Sequence, residues 1–282
     1  PHKITGKVIV AVNEKDLPRL GRLARRAAKN RVKADLIEAD QLKKLEPHAR
    51  GLAALHVHDS GIVDFARVAE HLAEGLLERG AKIMLGTEVK AISRTANEIV
   101  LSAGEEEISA EYVVNCAGLH SDRVANMVGD SPAMRIVPFR GSFYELSEEA
   151  AGLCRTLIYP VPDPGLPFLG VHLTRTIDDR VECGPNAVLA TAREGYSAFD
   201  IDLAEIGGMM AWPGIWRLAA KHWRTAIAEG FRATSKAAFA SAVRRLVPDI
   251  RARDLRPASR GVRAQALGRD GCLYADLHLI HS

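Results

Sequence analysis

The stretch Glu111-Tyr-Val-Val-Asn-Cys-Ala-Gly-Leu-His-Ser-Asp-Arg-Val-Ala125 constrains the fold more than any other part of the chain. An apolar run of strand type enters a turn of small residues, and a helix with polar residues at its start follows. In a doubly wound sheet this is where a phosphate-bearing ligand is received. Ala117 and Gly118 allow backbone to approach a ligand closely. Ser121 or Asp122 is expected to cap the helix, whose free N–H groups and positive dipole end would face the same crevice. Standing alone, the segment is equally well an ordinary strand-to-helix turn.

The rest of the composition limits the classes open to the chain. With 282 residues, 47% hydrophobic and 26% charged, it can bury the core of one large or two intermediate domains. A formal charge of +3 is small for this size and implies no nucleic-acid partner, while a mildly basic surface suits an acidic small molecule. Cys116, Cys154, Cys183 and Cys272 form no Cys-x-x-Cys pair and have no histidine at ligand spacing, so no metal site is expected and the thiols are read as reduced. No apolar run reaches the roughly 18 residues of a spanning helix, and no export signal opens the chain.

Periodicity predicts an amphipathic helix over Glu14–Asn30, a strand over Lys33–Glu38, a short helix from Asp40 that stops before Pro47, and a strand over Gly51–Val57. A loop is expected at His58–Val63. Asp64 is placed to cap a helix running to Arg79, with an apolar stripe of Val68, Leu72, Leu76 and Leu77 and with Gly80 ending it. Ala81–Leu85, Thr87–Ile92, the segment around Glu98–Leu101 and Glu107–Glu111 read as strands, followed by a return to a parallel sheet. Met134–Leu146, Arg155–Tyr159, Phe168–Leu173 and Arg180–Cys183 suggest a second, antiparallel sheet. Residues 202–250 read as helical, with Pro213 near a helix start and Trp212, Trp216 and Trp223 spaced to bury one side. The fold class is therefore α/β, of mixed α+β character.

Several unusual strings occur in collinear order: Pro138-Phe-Arg-Gly-Ser-Phe-Tyr-Glu-Leu146, Leu157-Ile-Tyr-Pro-Val-Pro-Asp-Pro164, Pro167-Phe-Leu-Gly-Val-His-Leu-Thr174, Glu182-Cys-Gly-Pro-Asn-Ala-Val188, Arg193-Glu-Gly-Tyr196 and Gly261-Val-Arg-Ala-Gln265. With these the chain, from about Lys7 to about Leu279, resembles the L-2-hydroxyglutarate oxidase/dehydrogenase branch of the FAD-dependent D-amino-acid-oxidase-like (DAO) flavoenzymes. The resemblance implies a partial, Rossmann-like FAD-binding domain and an antiparallel-sheet substrate domain. It assigns residues 1–50 and 131–255 to the substrate side and residues 51–130 and 256–282 to the FAD side. No two glycines are spaced as Gly-x-Gly, so the Gly-x-Gly-x-x-Gly turn expected of such a flavoprotein is not in the chain. The expectation is a fragment that lacks this N-terminal segment and part of the C-terminal closing segment.

The same resemblance implies oxidation of a 2-hydroxy acid, L-2-hydroxyglutarate to 2-oxoglutarate, with FAD as cofactor and oxygen or a quinone as electron acceptor. Cofactor contacts fall on Val89, through its backbone, on Ala117 and Gly118 at the turn, and on Gly261 and Val262. Arg263 matches the arginine that binds a substrate carboxylate, where a planar fork gives two parallel contacts. The alternative for Arg263 is a surface ion pair, and Ala264 stands where the wider family has proline. A diacid needs a second anion contact, for which Arg140 is preferred over Arg175; the alternative for Arg140 is a structural role in the sheet. His172 is the candidate base for the hydroxyl proton, because an unperturbed imidazole titrates in a suitable range, although a histidine on a strand is commonly a hydrogen-bonded core residue. Tyr159 is a substrate contact or a packing residue beside Pro160. No metal is expected. The compartment implied is cytoplasmic, with peripheral attachment to the inner membrane as a variant. Two further readings are an oxidase of another small 2-hydroxy or amino acid, and a non-catalytic fragment without flavin.

Overall fold

The β-branched run Lys7-Val-Ile-Val-Ala11 forms a strand in which Val8, Val10 and Ala11 are buried, the pattern of a central strand covered on both faces. The computed structural model describes residues 2–129, 133–163, 169–274, 276, 279 and 280. The central strand pairs antiparallel with Ala53–Val57 and parallel with Leu157–Pro160. Ala34–Glu38 lies beyond Ala53–Val57; His172–Arg175, Val181–Gly184 and then Met134–Leu146 follow on the other side, all antiparallel.

Helix Asp16–Lys29 lays Leu20, Leu23 and Ala24 against Ile9, Leu55 and Val161 on one face of this sheet. On the opposite face Val8, Val10, Ile158, Leu173 and Cys183 pack with Phe239, Val243, Leu246 and Val247 from helix Lys236–Val243 and the turn after it. Each fully buried side chain of this size contributes about 1.5–3 kcal/mol of apolar burial, so the sheet is the stable frame on which its outer-face side chains are held.

The chain divides into two compact units. The first comprises Pro1–His71, Gly141–Val188 and Arg224–Gly261; the second comprises Leu72–Arg140, Leu189–Trp223 and Val262–Ser282. The second unit holds a three-stranded antiparallel sheet of Val89–Arg94, Ile99–Ala103 and Glu106–Ala110. It also holds helices Ser121–Met127 and Leu203–Met210. Local chemistry sets these boundaries. The Asp202 carboxylate accepts from the N–H groups of Ala204 and Glu205 at a helix start. Pro213 opens helix Pro213–Thr234 at the position where a missing N–H costs nothing. The expected cap at Asp64 is also present, its carboxylate accepting from Ala66 and Arg67.

Several local expectations are overturned. Glu111–Asn115 and Ala81–Leu85 lie in no strand, and Tyr112 and Val114 are 81% and 84% exposed. A strand is stabilised by its neighbours' hydrogen bonds, and none of the described strands runs beside these segments, so no parallel sheet returns there. Gly61–Val63, read as loop, pairs antiparallel with His2–Ile4. The strand expected at Phe168–Leu173 begins only at His172; Phe168 lies outside the described residues. Trp216 and Trp223 face solvent, and the helix carrying them is broken by non-helical backbone at His222. Leu72, Leu76 and Leu77 are likewise exposed on helix Phe65–Glu78.

Candidate active site

On the first unit's sheet, Tyr159 stands beside Ile9, and Ile158 beside Leu173. Side chains alternate between faces along a strand, so Lys7, Tyr159 and His172 share the face opposite Val8, Ile158 and Leu173. The Tyr159 and His172 rings stack with centroids 4.0 Å apart and planes 20° from parallel. The Lys7 Nζ lies 3.9 Å from the centroid of the Tyr159 ring. His172 is only 8% exposed. Its Nδ1 sits 3.0 Å from the Gly170 carbonyl oxygen. A carbonyl only accepts, so Nδ1 carries a proton, and in the neutral form of the ring Nε2 would hold the lone pair a base requires. Burial lowers the pKa of the half-buried Lys7 ammonium below its ordinary value, with no opposing carboxylate among the described residues.

In the second unit the turn after Asn115 is tied by side chains. Asn115 Nδ2 donates to the Ser121 carbonyl at 2.8 Å, and its Oδ1 accepts from the Ala117 N–H at 3.1 Å. Gly118 has φ +53°, a left-handed conformation that favours glycine, and a Cβ there would meet nothing within 4 Å. Ala117 and Gly118 are both exposed. The expected capping is absent: Ser121 Oγ donates to the Gly118 carbonyl, and Asp122 is turned inward. Helix Ser121–Met127 packs on strand Val89–Arg94, whose register shifts between Val89 and Ala91.

Arg140 is half-buried and donates through Nη1 to the Ser197 carbonyl at 2.5 Å. Arg263 is exposed along its length, yet enough protein surrounds it that burial lowers its pKa. Gly261 has open space where a Cβ would stand, and Val262 is half-buried. Arg175 is committed elsewhere, with Nε on Asp179 at 2.9 Å and Nη1 on the Cys154 carbonyl at 3.0 Å. Tyr159, His172 and Gly261 thus belong to the first unit, and Val89, Ala117, Gly118, Arg140, Val262 and Arg263 to the second.

A buried ionic cluster went unread in the sequence. Arg193 donates through Nη2 to Asp122 Oδ2 at 2.9 Å and through Nε to Glu205 Oε2 at 3.0 Å, all three residues being buried. Arg135 adds a contact to Glu205 Oε1 at 3.1 Å, and Asp122 Oδ2 also accepts the Ile136 N–H at 3.0 Å. Arg193 Nη1 further donates to the Leu119 carbonyl, anchoring the residue after Gly118. Burial pushes the Asp122 pKa up, but the hydrogen bonds from Arg193 and Ile136 outweigh it and leave the carboxyl below its ordinary value. Burial likewise works against the Arg193 charge, and Asp122 and Glu205 more than restore it. The string Arg193-Glu-Gly-Tyr196 stood out in the sequence, but nothing local tells that its arginine meets an acid 71 positions away.

A mixed sheet bearing a stacked histidine and tyrosine, in a chain that also presents an open glycine turn before a short helix, places the protein in the mixed α/β class. The chain belongs to the FAD dependent oxidoreductase (DAO) family, whose model matches residues 1–280. It is 42% identical to the L-2-hydroxyglutarate dehydrogenase of Indibacter alkaliphilus over 289 residues, an alignment covering 100% of this chain and 72% of that protein. Against the human mitochondrial L-2-hydroxyglutarate dehydrogenase the identity is 38%, over 98% of this chain and 62% of the relative. The chain therefore spans between three fifths and three quarters of the length of these two relatives. Among solved structures it superposes on an FAD-bound L-α-glycerophosphate oxidase from Mycoplasma pneumoniae with a TM-score of 0.70 at 18% identity, covering 94% of this chain and 62% of that one. A glycine oxidase from Geobacillus kaustophilus gives 0.65 at 18% identity, covering 96% and 61%. These likenesses show the fold.

The exposed backbone at the Gly118 turn has open space beside it, which suits the close approach of a group such as FAD. The glycine cradle for its pyrophosphate is not among the 282 residues. Among the described residues no helix is long and apolar enough to cross a membrane.

Proposed function

We propose that this chain forms the catalytic part of an enzyme that oxidises L-2-hydroxyglutarate to 2-oxoglutarate. The observation carrying this reading is the His172 arrangement, a buried imidazole with Nδ1 fixed on the Gly170 carbonyl, in a chain 42% identical over its whole length to a protein named for that substrate. In this reading His172 Nε2 takes the proton of the 2-hydroxyl group. Tyr159 orients the hydroxyl through its own phenol and holds the imidazole plane by stacking. Arg263 binds the carboxylate next to the reacting carbon, and Arg140 adds positive charge for the second carboxylate.

The first unit is the substrate side, and the second, with Val89, Ala117, Gly118 and Val262, is the FAD side, to which Gly261 is joined through the chain. FAD when bound supplies the two-electron acceptor, discharged in turn to oxygen or a quinone. We place the enzyme in the cytoplasm, attached peripherally to the inner membrane where the acceptor is a quinone.

The test is an absorbance spectrum of the purified chain, then a titration with FAD followed by tryptophan fluorescence, then an assay with L-2-hydroxyglutarate beside glycine and glycerol 3-phosphate. Flavin absorbance bands or saturable quenching, with turnover of L-2-hydroxyglutarate alone, is the expected result. A colourless protein indifferent to FAD overturns the reading for this chain. Turnover of glycine or glycerol 3-phosphate instead overturns the substrate.

A further inference from the structure

Lys7 is the side chain on this sheet face that neither the family strings nor the reaction has used. Its immediate neighbours on the two flanking strands are Val57 and Leu157, both apolar. Its contact on this face is the ring of Tyr159, 3.9 Å from Nζ to centroid. His172 already covers one face of that ring, at 4.0 Å, so the ammonium lies over the other. A half-buried ammonium on apolar neighbours and one aromatic ring keeps hydrogen-bond donors that no described carboxylate takes up. The ring and water offset part of the cost of burying this cation, and an anion from outside the chain would offset the rest.

We propose that the Lys7 ammonium is a contact for the distal carboxylate of a dicarboxylate substrate whose hydroxyl end lies at His172, the two residues flanking Tyr159. This rests on the 2-hydroxyglutarate reading above. His172 and Lys7 lie 4.0 Å and 3.9 Å from the Tyr159 ring centroid, one on either side, an arrangement that offers the two ends of a short diacid separate contacts. A monocarboxylate of similar length lacks the group that would reach the ammonium. Lys7 therefore discriminates diacids from monoacids, and it supplies the anion contact on the same sheet face as the base, while Arg140 spends one donor on the Ser197 carbonyl.

The experiment is calorimetric titration of the full chain and of its Lys7→Met and Lys7→Arg variants with glutarate, butyrate and inorganic phosphate, with circular dichroism to verify the fold of each. In parallel, the rate at which a dilute acylating reagent modifies Lys7 is followed by mass spectrometry with and without glutarate. Lys7→Met is expected to weaken glutarate binding by about ten-fold or more, the effect of losing one charge-assisted contact, and to leave butyrate unchanged. Lys7→Arg retains part of the preference, and glutarate protects Lys7 from acylation. Equal glutarate affinity in folded wild type and Lys7→Met overturns the proposal while the substrate reading stands. Binding of phosphate and butyrate but not glutarate, still dependent on Lys7, overturns the diacid reading and keeps Lys7 as an anion contact. A wild type that binds none of the three overturns both.

Discussion

Arg193 in the second unit and Lys7 in the first are both cations withdrawn from water, and the chain treats them in opposite ways. Arg193 is enclosed by the carboxylates of Asp122 and Glu205, and Arg123 and Arg135 also pair with Glu205. Lys7 has an aromatic ring and apolar strand neighbours, and no described carboxylate. The first arrangement is closed: the Arg193 guanidinium gives its donors to acceptors within the chain, and the cluster holds the Leu119 carbonyl behind the Gly118 turn. The second is open, with donors that water or a bound anion can take up. A charge partnered within the chain marks structure, and a charge left short marks the place where function enters.

The largest expected effect breaks the closed side. Arg193→Ala leaves two carboxylates buried against fewer cations and is expected to cost about 3–5 kcal/mol, read as a shift in the urea midpoint; a loss under 1 kcal/mol would mean the cluster is not what holds the turn. His172→Asn tests the open side, and is expected to lower kcat by about 10²–10⁴ while the urea midpoint stays near wild type. A change in stability without a change in rate would return His172 to a core role.

Glu46 sharpens the contrast from within the first unit. It is fully buried and accepts from the Arg155 N–H at 3.0 Å, the Thr156 N–H at 2.5 Å and the Thr156 hydroxyl at 2.7 Å. Glu46→Gln swaps an acceptor oxygen for a donor and is expected to cost about 1.5–3 kcal/mol, measured by the same unfolding curve.

Acid probes the Arg193 cluster without mutation. Because the Asp122 pKa in the fold lies below the ordinary 3.8, its contribution is complete above 3.8, where both folded and unfolded chains carry the charge. It is lost as pH falls through the folded value. Stability of the wild type should therefore drop more steeply below pH 3.8 than that of Asp122→Asn. Parallel curves would remove Asp122 from the account. The smallest effect is expected at Lys7: burial lowers its pKa from 10.5, so the fold disfavours the charged form, and this cost is present at neutral pH and relieved as pH rises toward 10.5. Lys7→Met without diacid should leave the urea midpoint unchanged or slightly raised, and a lowered midpoint would mean that the ammonium has a structural partner.

How much of this was legible in the sequence differs by scale. The strand Lys7–Ala11, the helices begun by Asp64 and Pro213, and the thirteen-residue strand Met134–Leu146 were readable because caps, prolines and β-branched runs act over a few residues. His172 and Tyr159 were singled out one at a time, by residue chemistry and by the strings around them. Their stacking was not readable, since it depends on which strands become neighbours. Tyr112-Val-Val114 has the composition of a strand and forms none, because strand formation requires a partner that local composition does not supply.

What the sequence by itself determined is the family, the α/β class, most element boundaries and the residue types available for acid–base and anion chemistry, because these follow from short-range propensity and from collinear strings. Only the tertiary structure decided which charges are spent and which are left over. Asp122 and Arg193 lie 71 positions apart, and Lys7 reaches Tyr159 across the parallel pairing of Lys7–Ala11 with Leu157–Pro160. Charge pairing depends on distance in space, and the chain sets that distance only when its sheets close and its helices pack.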